Sequence, residues 1–175
     1  MSEIELQNKL VERCKKGDIK AQFALFKMHS KAMYNVAIRF FNNKMDAEDV
    51  VQESFIKAFQ KIDEFNGHSS FGFWLKRIVI NGCISEIRKR KVTFEEINEE
   101  ITGNLIDEKI DSFIEPDKVH HAIKALPDGA RTIINLYALE GFKHDEIAHM
   151  LGISSSTSKT QYMRAKKLLL EKLNN

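Results

Sequence analysis

Residues 45–62 read MDAEDVVQESFIKAFQKI, with no Gly or Pro to interrupt a helix. At about 100° per residue, Val51, Phe55, Ala58 and Ile62 fall into one narrow apolar stripe, the pattern by which a helix packs on a core. Asp46 is placed to cap the N-terminus, and Glu48 and Asp49 put negative charge in the first turn, where the helix dipole favours it. A second face, well over a right angle from the stripe, gathers Asp46, Asp49, Gln52, Glu53 and Gln60 around Ile56. An isoleucine ringed by acids and amides suits a protein contact with a basic partner. Helix physics alone leaves open a solvated face with one stray apolar residue.

The segments before this helix are helical as well. Leu6, Leu10, Val11 and Cys14 recur at helical spacing over residues 3–15, and Gly17-Asp18 ends that helix and caps the next. Residues 21–28 and 31–41 are read as two further helices, with Phe23, Phe26, Tyr34, Phe40 and Phe41 in the core. Asn42-Asn43-Lys44 is the turn into the organising helix.

After Ile62 comes the polar loop DEFNGHSS, whose Asn-Gly and Ser-Ser pairs favour a turn and then a helix cap. A helix over residues 71–91 follows, burying Phe71, Trp74, Leu75, Ile78, Val79 and Ile87. Lys76, Arg77, Asn81, Arg88, Lys89, Arg90 and Lys91 decorate the remainder. Part of that basic run is favourable charge at a helix C-terminus. A basic helix beside a polar loop also suits single-stranded DNA held along its phosphates while a base enters a pocket.

Charge is distributed in blocks. Residues 1–92 carry 17 Lys and Arg against 11 Asp and Glu, residues 93–117 carry 1 against 9, and residues 118–175 carry 9 against 5. Two basic blocks flanking an acidic connector suit two nucleic-acid-binding units joined by a segment that avoids phosphates. Ile97, Ile101, Leu105, Ile106 and Ile110 are scattered through the connector, which leaves short helical turns open to it.

The last third reads as a helix-turn-helix. A helix over residues 117–126 precedes one opened by Leu126-Pro127-Asp128, with Ile133, Ile134, Leu136, Tyr137 and Leu139 inward and Gly141 as its stop. In residues 143–173, Ile147 and Leu151 pack inward, Ala148 permits a close crossing, Gly152 makes the turn, Ile153 plugs it and Ser154 caps the second helix. Tyr162, Ala165, Leu168 and Leu169 form the buried stripe of that second helix, and Ser156, Lys159, Thr160, Met163, Arg164 and Lys167 face outward. Arg can bond guanine edges in pairs, Thr can meet a donor or a thymine methyl, and Lys neutralises phosphate.

Other chemistry finds little support. Cys14 and Cys83 are far apart and lack metal or redox spacing. His144 and His149 are separated by one position too many for the H-E-x-x-H zinc signature, and the Glu146/His149 spacing of di-metal bundles has no second copy. No cofactor and no metal are expected. No stretch approaches a membrane span, and residues 1–20 lack the design of a secretory signal, so a cytoplasmic protein is expected.

The string DAEDVVQESF resembles the core-polymerase-binding helix of bacterial sigma factors, and the small two-domain extracytoplasmic function (ECF) group is the closest match. The resemblance implies an all-α fold of two small helical domains, residues 1–92 and 118–175, joined by the acidic linker 93–117. It implies that Asp49, Gln52 and Glu53, with Ile56 on the same face and Phe59 at its margin, dock on the coiled coil of the largest RNA polymerase subunit. SSFGFWLKRIVINGC resembles the family's promoter-melting region, which implies Asn66, Gly67, His68, Ser69 and Ser70 as the loop that captures a flipped −10 base. Lys76, Arg77, Asn81 and Arg88 would be the strand contacts.

LPDGARTIINLYALEGFKHDEIAHMLGIS resembles the −35-reading domain, implying Thr160, Met163 and Arg164 as base readers. The connector would run through a basic channel of the polymerase, and an anti-sigma protein is an implied partner. Ser158 departs from the Val of many relatives on the inward stripe, where its hydroxyl is expected to bond the carbonyl four residues back. Gln161 replaces a frequent Arg. A stand-alone helix-turn-helix regulator would explain residues 118–175 while leaving the acidic face and the melting loop idle.

Overall fold

The computed structural model describes residues 3–90 and 115–174. The chain divides into two compact units, Met1–Arg90 and Lys91–Asn175. The expected connector lies outside the described residues except for Glu115, Pro116 and Asp117.

The first unit packs four helices, α1 (Glu3–Lys15), α2 (Ile19–Ala37), α3 (Lys44–Gln60) and α4 (Phe71–Lys89), with a 3-10 turn at Ile62–Glu64. α2 touches each of the other three helices, and α3 packs along α4. Leu25, Phe40, Phe71, Leu75, Val79, Ile80 and Ile87 are fully buried, each such side chain contributing about 1.5–3 kcal/mol of burial. Small residues set the α3–α4 spacing. A Cβ on Gly82 would come within 3.0 Å of the Ser54 Oγ and 3.1 Å of the Val50 Cγ1, and the Ser54 hydroxyl turns back to donate to the Val50 carbonyl at 2.6 Å.

Several boundaries differ from those expected. α2 is one continuous helix, started by Asp18, whose carboxylate accepts from the Lys20 and Ala21 N–H groups at 2.9 and 3.2 Å. Because Ala21 and Leu25 of that single helix face the core, Phe23 is turned away from it. It is 60% exposed rather than buried, with the Lys27 ammonium 5.3 Å from its ring centroid. The cap of α3 is Asn43, which accepts from the Met45 N–H at 2.9 Å, and not Asp46. With the cap supplied earlier in the chain, Asp46 lies inside the first turn and takes a different partner: its carboxylate bridges to Arg90 at 2.9 Å.

The second unit comprises α5 (Pro116–Lys124), α6 (Asp128–Ile134), a π-helical turn (Asn135–Leu139), α7 (His144–Leu151) and α8 (Ser155–Asn174). Ile123, Leu126, Ile134 and Ala165 form its core, with Val119, Ala130, Tyr162 and Leu169 against it. Arg131 is buried, and its guanidinium donates to the Lys124 and Leu126 carbonyls at 3.2 and 2.9 Å and pairs with Asp128. The bond from the Glu140 N–H to the Asn135 carbonyl, 2.9 Å, is the i→i+5 closure of the π turn. That wider turn carries Tyr137 and Leu139 out of the inward register expected of them, leaving them 37% and 42% exposed, while Ile133, Ile134 and Leu136 are buried.

Candidate functional site

α3 presents the acidic face. Asp49, Gln52, Glu53, Ile56 and Gln60 are all exposed, Ile56 at 57%, while Val51, Phe55, Ala58 and the following Ile62 are buried. Phe59 is half-buried, its ring 5.9 Å from that of Phe55, which meets Phe26 edge-on at 4.8 Å. Asp46 leaves the set. It is half-buried, and the Arg90 that holds it also reaches Glu86 at 3.3 Å and lies over the Phe41 ring at 5.3 Å. Hydrogen bonding to Asp46 pushes the Arg90 pKa up.

Met45 joins the face instead. It is 68% exposed and precedes Asp49, Gln52 and Ile56 by four, seven and eleven positions, so all four share one stripe. The helical spacing already carried this signal, hidden by reading Met45 as the helix boundary. The stripe therefore has an apolar residue at each end and a carboxylate and an amide between, with the Glu53 carboxylate beside it.

At the start of α4, the loop residues Asn66, Gly67, His68, Ser69 and Ser70 are exposed. Asn66 folds the loop on itself, its side chain accepting from the His68 N–H at 3.1 Å across Gly67, which takes φ +75. Ser70 caps α4, accepting from the Phe73 N–H at 3.2 Å. Its hydroxyl is thus committed to the helix, whereas the side chains of Gly67's neighbours stand at the loop surface. Arg77, Asn81 and Arg88 are exposed and share a stripe at four- and seven-residue intervals.

Lys76 lies off that stripe, half-buried, with its ammonium 5.6 Å from the Phe73 ring centroid. Phe73 is a residue the sequence reading passed over: it is 51% exposed, one turn from Arg77 and next to the loop. Its signal was its position between Phe71 and Leu75, off the buried i, i+4 stripe. Trp74, by contrast, is half-buried against Phe65 and Phe71, with centroids 5.4 and 5.7 Å away.

In the second unit, Ile147, Ala148 and Leu151 are buried on α7, Gly152 takes φ +70, and the Ser154 Oγ accepts from the Thr157 N–H at 2.9 Å. These are the features of the expected turn. On α8, Ser156, Lys159, Thr160 and Lys167 are exposed, and Met163 and Arg164 are half-buried on the same side. Thr160 donates its hydroxyl hydrogen to the Ser156 carbonyl at 3.0 Å, so its oxygen is left to accept and its methyl to make apolar contact. Leu168, expected inward, is 36% exposed, whereas Ser158 and Gln161 are buried beside Ala165.

The partner of the Ser158 hydroxyl is not the carbonyl four residues back. It is the Nδ1 of His144, 3.0 Å away at the start of α7. Burial and the nearby Lys159 hold the His144 pKa below its ordinary value. Glu146, of the near-zinc pattern, is engaged in accepting from the Lys143 N–H at 2.8 Å, and His149 is exposed. Both cysteines are buried, and burial, helped by Asp18, pushes the Cys14 thiol up to about 11, away from reactive thiolate chemistry. No described helix is long and apolar enough to cross a membrane.

Two families match this chain, Sigma-70 region 2 over residues 25–93 and Sigma-70, region 4 over residues 117–169. The chain is 30% identical to the ECF RNA polymerase sigma factor SigW of Bacillus subtilis, over 94% of its own length and 95% of that protein. It is also 30% identical to the ECF RNA polymerase sigma-E factor of Haemophilus influenzae, over 99% and 98%. Among solved structures it resembles the sigma factor RpoE of Bartonella quintana, determined in complex with the anti-sigma factor NepR, at 25% identity and TM-score 0.54 over 89% of this chain and 98% of that one. CnrH, solved with the cytosolic domain of CnrY, is alike in fold, at 23% identity and TM-score 0.51 over 97% of each chain.

Proposed function

The chain belongs to the ECF family of RNA polymerase sigma factors, and from that premise we propose how it divides the family's work among its own residues. It binds core RNA polymerase and directs promoter-specific initiation by recognising −35 and −10 elements. Residues 1–92 form the head for polymerase and −10 DNA, residues 118–175 the head for −35 DNA, and residues 93–117 the acidic connector. Sigma factors are initiation factors rather than enzymes. This chain accordingly directs the polymerase's chemistry in the cytoplasm and performs none.

The polymerase seat is the α3 stripe of Met45, Asp49, Gln52, Glu53 and Ile56, with Phe59 at its edge. The observation that carries this reading is the exposure of Met45 and Ile56 in line with Asp49 and Gln52 on a helix whose opposite side is fully packed. Apolar anchors flanked by acids suit a cationic helical partner, where carboxylates steer the encounter and the anchors supply the desolvated contact.

The −10 strand is held by the Asn66 to Ser70 loop with Arg77, Asn81 and Arg88 along α4, and Lys76 acts beside Phe73 rather than along that line. On the −35 duplex, Thr160, Met163 and Arg164 read bases, and Ser156, Lys159 and Lys167 position the helix on phosphates. By extension from the RpoE complex, an anti-sigma protein is a further partner of this chain. A stand-alone helix-turn-helix regulator is not favoured, because the curated relatives match along both heads.

Transcription from purified core polymerase and this chain on genomic DNA tests the reading. Initiation at a defined set of start sites, dependent on the chain, is expected. Indifference of the polymerase to the chain would overturn it.

A further inference from the structure

Ser158 lies fully buried on the inner side of α8, where an unpartnered hydroxyl would be costly. It is followed directly by Lys159 and Thr160, two of the outward residues at the front of the helix. Its partner, His144, comes from the other helix of the motif, fourteen positions earlier. The imidazole is itself held. Its face stacks on Tyr137 with centroids 4.3 Å apart and planes 15° from parallel, and its ring lies 5.9 Å from that of Tyr162 on α8. Tyr137 in turn lies 4.4 Å from Tyr162. Tyr137 comes from the π turn, the same departure from α geometry that took it out of the core register. Two elements, α7 and the π turn, thus close on the first two turns of α8 through one hydrogen bond and a set of ring contacts.

We infer that His144 is a positioning residue for −35 reading, fixing the rotation of α8 through Ser158 and with it the place at which Thr160 meets the base edges and Ser156 and Lys159 meet the phosphates. The inference rests on the −35 role proposed above. The physical basis is direction. Apolar contacts such as those of Ile147 and Ala165 tolerate a small turn of one helix against the other, whereas a hydrogen bond weakens steeply once its angle or length is lost. Base reading is equally intolerant, since a contact group displaced by more than about 0.5 Å no longer matches its edge. His144 need not touch DNA for this; it acts through Ser158.

The test uses the full chain assembled with core polymerase, a duplex selected by the unsubstituted chain from a randomised pool, and single-base variants of that duplex. His144→Phe keeps the stacking ring and removes Nδ1, Ser158→Ala removes the hydroxyl, and His144→Asn returns a polar group near the position of Nδ1. His144→Phe and Ser158→Ala are each expected to lower the preference for the selected duplex by roughly three- to tenfold. The double substitution should be no worse than either single one, because both break the same link. His144→Asn should recover part of the preference. Retention of the full preference by both single variants overturns the inference, even where stability or affinity for all duplexes falls together. So does simple addition of the two effects. Should His144→Phe fail to fold, Ser158→Ala carries the same comparison with a smaller change. A different failure, in which the unsubstituted chain itself shows no preference among duplexes, removes the −35 role on which the inference stands.

Discussion

Asp46 and Arg90 are joined at 2.9 Å, fastening the first turn of α3 to the end of α4. One carboxylate of the acidic cluster is therefore structural while its neighbours Asp49 and Glu53 remain on the surface. Asp46→Asn is expected to lower the stability of the first unit by about 0.5–1 kcal/mol, the range of a partly exposed pair. Urea unfolding followed by the fluorescence of Trp74, the sole tryptophan, measures this. Polymerase affinity should be nearly unchanged.

Charge reversal one turn further along should do the opposite. Asp49→Lys with Glu53→Lys is expected to weaken binding to core polymerase, increasingly at low salt, while leaving the free energy of unfolding in urea within about 0.5 kcal/mol of the unsubstituted chain. Ile56→Ser and Met45→Ser should each cost about 1–2 kcal/mol of affinity with little change in salt dependence, as desolvated anchors do. Fluorescence anisotropy of the labelled chain titrated with core polymerase separates the two patterns. Unchanged affinity in every variant would remove α3 from the interface.

Two residues of α8 should part company on DNA. Arg164→Ala is expected to lose about 1–3 kcal/mol at one −35 base pair and little elsewhere. Lys167→Ala should weaken every sequence alike and reduce the slope of log K against log salt by about 0.9. Competition with single-base variants at several salt concentrations distinguishes them, and a uniform loss for Arg164→Ala would make it a phosphate contact.

Phe73 should matter for the opened strand and not for the duplex. Phe73→Ser is expected to cost about 1–3 kcal/mol in binding a single-stranded −10 oligonucleotide, the usual worth of a stacked aromatic. Permanganate reactivity of promoter thymines should fall with it, while −35 binding persists. Replacing the loop from Asn66 to Ser70 should abolish that reactivity altogether.

Acid should loosen the second unit first. The His144 pKa is lowered from its ordinary 6.5, chiefly by burial and then by Lys159, against the opposing pull of Asp145. Above 6.5 the folded and unfolded forms both hold a neutral imidazole, and the full stability is present. As pH falls through 6.5 toward the folded value, the unfolded chain takes up the proton first and stability is lost. Burial pushes the phenol pKa of Tyr162, packed near the ring, above its ordinary value, so it adds no charge in this range. Thermal unfolding should therefore show a midpoint that declines below about pH 6.5 in the unsubstituted chain and declines less in His144→Phe.

What could be read from residues alone was whatever repeats along a helix or closes a local turn. The core stripe of α3, the Ser70 and Ser154 caps, the left-handed Gly152 and the exposed outward faces of α3 and α8 depend on neighbours within a few positions, where spacing fixes direction. Tertiary structure decided the rest. That Asp46 became an anchor depended on Arg90, forty-four positions on; whether Ser158 turned to its own helix depended on His144 in another; and whether Tyr137 was core depended on one extra residue in a π turn. Periodicity specifies which way a side chain leaves its own helix, but a hydrogen bond or ion pair also needs the distance between two helices, and that distance exists only once the core has packed.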